Sequence, residues 1–180
     1  MQFERLAIPD VILVTPKRFG DARGFFSETF RETMFQENGI AGPFVQDNHA
    51  FSVEAGVLRG LHFQRAPKAQ AKLVRCTRGV IFDVAVDIRE GSPTFGQHVS
   101  AELTAENGAQ LFIPEGFAHG YLTLTRNCDV QYKVTDYYSP EDEGGLAWDD
   151  PELGIDWPLE SDALELSEKD KSLPKLSDLI

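Results

Sequence analysis

Cysteine is scarce in this sequence, which contains only Cys76 and Cys128. Two cysteines are too few for the disulfide framework of a small secreted protein. Long apolar runs are also missing, since no stretch approaches the roughly 20 residues that a membrane-spanning helix requires. The first five residues, Met1 to Arg5, lack the basic-then-apolar order of a signal peptide. These absences predict a soluble cytoplasmic protein.

Basic residues are in the minority, with 17 Lys and Arg against 29 Asp and Glu and a formal net charge of −12. This balance argues against nonspecific binding to nucleic acid. One segment reverses it: residues 55–82 contain no acid but include Arg59, Arg65, Lys68, Lys72, Arg75 and Arg78. Such a segment could hold an anionic small molecule, or its charges could simply face water.

Strand patterns dominate the chain. In residues 80–88 every even position is apolar, whereas Asp83 and Asp87 fall on odd positions. Residues 99–104 and 130–135 alternate in the same way, and Gly, Pro, Asn and Asp separate the short strands. The pattern predicts an all-β sandwich or barrel, and 180 residues suffice for one domain over 1–180.

Helix is expected in two places. One helix is predicted from about Ser27 to Asn38, where Gly39 would end it. The segment after Trp157 is weakly amphipathic and predicts short C-terminal helices.

A candidate general base lies in the Gly-rich segment 56–64, which contains His62, and Lys72 follows ten residues later. Because Pro67 is their midpoint, a hairpin through it would pair positions 62 and 72. A base beside a cation suits proton abstraction next to a carbonyl, since the base takes the proton and the cation holds the enolate oxygen. Alternatively, His62 could be an ordinary core or surface histidine.

Two motifs around the histidines resemble those of the cupin double-sheet barrel. Gly56 and His62 fit the first motif, and Gly108 to His119, with Pro114 and Gly116 in place, fit the second. Metal-binding cupins use three histidines and a glutamate. Here Gln64 stands where the second histidine would be, and Lys68 or Ala69 where the glutamate would be. We therefore expect a metal-free barrel in which His62 is free to act as a base.

The proposed chemistry requires two further groups. A carboxylate that accepts from the second ring nitrogen of His62 would fix its tautomer, but the sequence alone does not identify it among 29 acids. Tyr132 shares the parity of Val130 and Val134, so it faces the apolar interior as a candidate acid or as ordinary core packing.

Over nearly its whole length the sequence resembles the dTDP-4-dehydrorhamnose 3,5-epimerase family. The most specific blocks are residues 56–64 and 70–75, together with Ala118-His119-Gly120-Tyr121, where tyrosine replaces the commoner phenylalanine. The remaining blocks follow in order at residues 19–28, 44–48, 132, 138–140, 148–151 and 167–170.

The resemblance implies a role for each matching residue. His62 would be the base, Asp170 its carboxylate partner, Lys72 the enolate-binding cation and Tyr132 the proton donor. The nucleotide-sugar substrate would be bound by Arg23, Glu28, Gln46, Asn48, Arg59, His119, Tyr138, Glu143 and Lys169. The resemblance also implies no cofactor or metal, and a homodimer whose exchanged N-terminal strands bring Arg23 and Glu28 to the partner's site.

Arg59 and His62 pose a geometric problem, because residues of opposite parity on a regular strand face opposite ways. Gly60 could allow a β-bulge that realigns them. The reaction that the resemblance implies is double epimerisation of a 4-keto-6-deoxy nucleotide sugar. A 3-epimerase or ketoisomerase of the same family, a non-catalytic cupin that binds an anionic sugar and a metal-dependent cupin remain as alternatives.

Overall fold

Two facing antiparallel sheets form the body of the protein, in a computed structural model that describes residues 1–179. The six-stranded sheet has the order β1 (Gln2–Arg5), β2 (Ile12–Thr15), β10 (Gln110–Ile113), β7 (Lys72–Arg78), β12 (Cys128–Val134) and β5 (Gln46–Ser52). The five-stranded sheet has the order β13 (Glu143–Gly145), β6 (Leu58–Gln64), β11 (Phe117–Thr123), β8 (Val80–Asp87) and β9 (His98–Thr104). The predicted all-β, double-sheet jelly-roll architecture is confirmed.

The remaining elements are small. A two-stranded ribbon, β3 (Arg18–Asp21) and β4 (Gly24–Ser27), stands apart from both sheets. Helix α1 spans Glu32–Glu37 and α2 spans Glu168–Lys171, and 3₁₀ turns lie at Ser161–Ala163 and Leu176–Asp178. The short C-terminal helices therefore agree with the prediction. No helix within residues 1–179 combines the length and the apolar character needed to cross a membrane.

Hydrophobic side chains fill three layers. Between the sheets lie residues such as Val74, Ile81, Leu111 and Val130, all fully buried or nearly so. The C-terminal segment covers the outside of the five-stranded sheet, and α1 with its flanking phenylalanines covers the outside of the six-stranded sheet. Because both sheets are covered on both faces, strands β10 and β11 are buried at every position.

Strand β8 buries two aspartates within its alternating pattern. Asp83 and Asp87 share their face with Ile81 and Ala85, and both carboxylates are fully buried rather than exposed to water. Asp87 accepts hydrogen bonds from Arg89, Ser92 and Thr94 in the following turn. A buried carboxylate needs such partners.

Helix α1 begins later than predicted. The expected start near Ser27 is wrong because β4 continues to Ser27, which pairs with Arg18 and donates its hydroxyl hydrogen bond to the Lys17 carbonyl. The predicted end is close, since the helix stops at Glu37 and Gly39 has a φ of +84°.

The predicted hairpin between positions 62 and 72 is also wrong. Strands β6 and β7 belong to different sheets: β6 pairs with β11 and β13, whereas β7 pairs with β10 and β12. The segment around Pro67 crosses from one sheet to the other. His62 and Lys72 therefore approach each other across the barrel interior instead of along a ladder.

Candidate active site

A cavity of about 650 Å³ opens between the two sheets. Strands β5, β7 and β12 line it on one side and β6 and β11 on the other, while the segment that leads into α2 closes part of its rim. The predicted site residues that share this cavity are Gln46, Asn48, Arg59, His62, Lys72, His119, Tyr132, Tyr138, Glu143, Lys169 and Asp170.

A bulge in β6 brings Arg59 and His62 to the same cavity. His62 pairs with His119 and Arg59 pairs with Tyr121, so three steps along β6 match two along β11. The extra residue falls at Gly60, whose φ is +119°. A Cβ there would lie 2.7 Å from the Gly120 Cα and from the His119 carbonyl oxygen. Only glycine fits this close approach of the two strands.

His62 is held by a buried carboxylate. Its Nε2 lies 2.6 Å from Oδ1 of Asp170, whose side chain is 6% exposed. Asp170 is presented by α2, which Ser167 caps by accepting a hydrogen bond from the Asp170 backbone N–H at 3.1 Å. With Nε2–H donating to Asp170, Nδ1 of the neutral ring is unprotonated and available as a base.

Burial lowers the pKa of His62 below its ordinary value of 6.5, although Asp170 opposes the effect. The positive charges of Lys72 and Lys169 lower the pKa further. The ring is therefore neutral, and able to accept a proton, near pH 7.

Lys72 reaches the site from the facing sheet. Its Nζ donates a hydrogen bond to the backbone carbonyl oxygen of His62 at 3.1 Å. Burial lowers its pKa to about 8, while the carboxylates of Asp83 and Glu143 oppose the shift. The ammonium thus keeps its charge at neutral pH in surroundings where water does not screen it.

Tyr132 and Arg59 line the same cavity from opposite sheets. Burial raises the pKa of the Tyr132 phenol and Arg59 opposes this, so Tyr132 holds its proton at neutral pH. The Arg59 guanidinium lies 3.3 Å from the Phe51 carbonyl oxygen and 3.4 Å from Oγ of Ser52. These long contacts leave donors of the guanidinium free for an anion.

Polar pairs line the rim of the cavity. Gln46 donates from its amide to Asn48 Oδ1 at 2.9 Å. Glu143 accepts from Lys169 at 2.6 Å and from the Tyr138 hydroxyl at 3.1 Å. Burial would raise the pKa of Glu143, but these two partners lower it below its ordinary value.

Arg23 and Glu28 lie outside the cavity of their own chain. Arg23 sits on the β3–β4 ribbon, where its side chain is 89% exposed and bonds Asp21. Glu28 forms an exposed ion pair with Arg31. The ribbon also exposes three large apolar side chains, those of Phe19, Phe25 and Phe26.

The family profile described as dTDP-4-dehydrorhamnose 3,5-epimerase matches residues 5–178. The chain belongs to this family.

Relatives within the family are similar over nearly their whole length. The dTDP-4-dehydrorhamnose 3,5-epimerase of Sinorhizobium fredii is 56% identical over 179 residues, 99% of this chain and 91% of that protein. The Legionella pneumophila epimerase, solved in complex with dTDP-4-keto-L-rhamnose, is 47% identical with a TM-score of 0.93, covering 98% and 93% of the two chains. A 3'-monoepimerase of Streptomyces bikiniensis, in complex with dTDP-quinovose, is 35% identical with a TM-score of 0.87, covering 96% and 86%.

Sequence reasoning missed Asp83 as a site residue. Its carboxylate oxygens lie 3.0 and 3.1 Å from Nε2 of His119, and both side chains are buried. A carboxylate inside an otherwise apolar strand was the available signal. Gln64 and Gln70 also line the cavity between the two sheets.

The side chains at the cupin metal positions have other partners. His119 contacts Asp83, and the Gln64 amide donates to the Lys68 carbonyl while its oxygen accepts from the Ser139 N–H. Among residues 1–179, no three His, Cys, Asp or Glu side chains gather in an arrangement able to hold a metal ion.

Proposed function

We propose that this protein inverts C3 and C5 of dTDP-4-dehydro-6-deoxyglucose to give dTDP-4-dehydro-L-rhamnose. The observation that supports it most directly is that His62 is hydrogen-bonded to buried Asp170 and that the buried ammonium of Lys72 donates to the His62 carbonyl. A base and a cation fixed in one desolvated cavity suit the formation of an enolate.

The reaction follows from the acidity of carbons beside a ketone. His62 Nδ1 removes a proton from C3 or C5, and the electron pair moves onto the C4 oxygen as an enolate. Lys72 stabilises this oxygen by charge and hydrogen bonding. Tyr132 then returns a proton to the opposite face of the carbon, which restores the ketone with inverted configuration. A correctly positioned general base contributes about 10²–10⁴-fold to the rate. Electrostatic stabilisation of the enolate oxygen by Lys72 should contribute at least as much.

The rest of the cavity supports a nucleotide-sugar substrate. Arg59 provides guanidinium donors that match the geometry of a diphosphate. The Legionella relative holds a dTDP-sugar of the expected class. His119, Gln46, Asn48, Tyr138, Glu143 and Lys169 surround the remaining volume with donors and acceptors for sugar and base.

We infer that Arg23 and Glu28 complete the site of a partner subunit. They project from an exposed ribbon whose phenylalanines are 55% to 71% exposed, which is unusual for aromatic residues in a soluble monomer. A symmetric homodimer would bury these rings and place Arg23 beside a second cavity.

The Streptomyces bikiniensis relative supports inversion at C3 alone as a second candidate. Incubation of the native protein with the 4-keto-6-deoxy sugar nucleotide in deuterated water distinguishes the two. Proton NMR should show deuterium at both C3 and C5 and two inverted centres. Inversion only at C3 would select the single epimerase, and unchanged substrate without exchange would reject both.

A further inference from the structure

The hydroxyl of Tyr121 is buried without a hydrogen-bond partner. Tyr121 is 4% exposed, and its Oη is the single buried side-chain nitrogen or oxygen in residues 1–179 that no other group bonds. Leaving a buried hydroxyl unpaired destabilises the fold. Such groups are rare in native proteins, and each requires an explanation, often a functional one.

Tyr121 lies inside the proposed site. It is on β11, where its Cα partners are Arg59 on β6 and Asp83 on β8. Its ring lines the cavity and belongs to the inter-sheet core against which Tyr132 packs. The ionisable groups that act on it electrostatically are Arg59, Asp83, and Tyr132 and Cys128 on β12. Both Tyr121 and Tyr132 line the same cavity, and only Tyr132 has a role in the reaction proposed above.

The neighbouring Tyr132 undergoes a change of charge in the proposed reaction. When it donates its proton, its oxygen becomes a phenolate in a place where burial opposes ionisation and Arg59 favours it. A hydrogen-bond donor close to this oxygen would stabilise the developing charge. The hydroxyl of Tyr121 is a donor without a partner in the same cavity.

We propose that Tyr121 is a positioning residue whose hydroxyl donates a hydrogen bond to the Tyr132 oxygen as Tyr132 protonates the substrate carbon. This inference rests on the proposed function. In that step the Tyr132 O–H bond breaks, a C–H bond forms at the substrate and the C4 carbonyl is restored. The negative charge passes from the enolate to the Tyr132 oxygen, and the Tyr121 proton stays on Tyr121.

The test is the Tyr121→Phe variant, which removes one oxygen and retains the ring. We expect inversion to slow by roughly 10- to 100-fold, the effect of a hydrogen bond to a charged group. Exchange of the substrate hydrogen with deuterated water, which requires His62 rather than the donor, should stay within about twofold of native. The ratio of exchange to inversion therefore rises. The thermal midpoint should be equal or higher, because a buried unpaired hydroxyl has been removed.

The Tyr132→Phe background is the matched control. There, adding Tyr121→Phe should leave the residual rate of inversion unchanged, since the oxygen that Tyr121 serves is gone. The proposal is overturned if Tyr121→Phe inverts at the native rate, if exchange falls in parallel with inversion, or if the midpoint drops. Failure of the native protein to invert any carbon would instead reject the proposed function, so the two failures are distinguishable.

Discussion

Lys72 donates from Nζ to the backbone carbonyl of His62 at 3.1 Å, although the two residues lie on strands of different sheets. The contact places a buried positive charge beside the candidate base and ties the two sheets together at the cavity. Because the ammonium is desolvated, its pKa falls to about 8. The charge that is proposed to hold the enolate is therefore lost at mildly alkaline pH.

The rate of epimerisation, measured as kcat/KM, should depend on pH in a bell shape. Below pH 6.5 it should fall as His62 becomes protonated, since burial lowers that pKa below 6.5. Above pH about 8 it should fall as Lys72 loses its proton. In Lys72→Arg the guanidinium stays charged, so the alkaline limb should disappear from the range below pH 10 even if the overall rate drops. An alkaline limb that stays near pH 8 in Lys72→Arg would assign it to another group.

Asp170→Asn should reduce kcat by about 10²–10⁴-fold, because the amide no longer stabilises the imidazolium that forms when His62 takes a proton. Binding of dTDP, measured by calorimetry, should change little, since Asp170 contacts His62 at 2.6 Å and is 5% exposed. Glu168→Gln on the exposed side of the same helix is the control and should retain native kcat. A native rate in Asp170→Asn would mean that His62 does not depend on this carboxylate.

Gly60→Ala should destabilise the fold strongly. Its φ of +119° disfavours a side chain, and the added Cβ would lie 2.7 Å from two backbone atoms of β11. Gly91→Ala provides the matched control, because Gly91 also has a positive φ, +77°, but nothing lies within 4 Å of its Cβ position. In urea denaturation we expect a loss of about 1–2 kcal/mol for Gly91→Ala and at least about 3 kcal/mol for Gly60→Ala. Equal losses would show that close strand approach is not what requires glycine.

A mixture of two inactive variants should recover activity if Arg23 serves the partner's site. In the proposed homodimer, the His62→Ala variant and the Arg23→Ala variant would each lack one component at both sites. A heterodimer would contain one site with the native His62 and the native Arg23, so random exchange should restore roughly a quarter of the native rate at low substrate concentration. No recovery after confirmed subunit exchange would place Arg23 in its own chain's site or outside any site.

The sequence predicted which residues share the cavity better than it predicted the connections between the strands that carry them. The motif around His62 indicated that His62 and Lys72 lie close together, as they do, but not that they face each other across two sheets. Pro67 at the midpoint indicated a hairpin, whereas local spacing contains no information about which sheet a strand joins. His62 and Asp170 are separated by 108 positions in the sequence, which is why only the family resemblance, and no local pattern, could pair them.

The burial of individual side chains is the second property that the sequence pattern did not predict. Asp83 and Asp87 follow a clean alternation in β8, yet both carboxylates are fully buried because they share the inward face with Ile81 and Ala85. The C-terminal segment covers the apolar even positions on the opposite face. Alternation assigns a polar residue to water only when one face of the sheet is exposed. The bulge at Gly60, by contrast, could be anticipated, because a glycine between two residues of conflicting parity is the usual signal for one.

The exchange of substrate hydrogen with deuterated water in His62→Ala tests the central claim most directly, with His49→Ala as control because His49 bonds Asp129 outside the cavity. The account predicts that His62→Ala binds dTDP normally but incorporates no deuterium at C3 or C5, while His49→Ala exchanges at the native rate. Deuterium incorporation at the native rate in a folded, nucleotide-binding His62→Ala would contradict the account, because another group would then be the base.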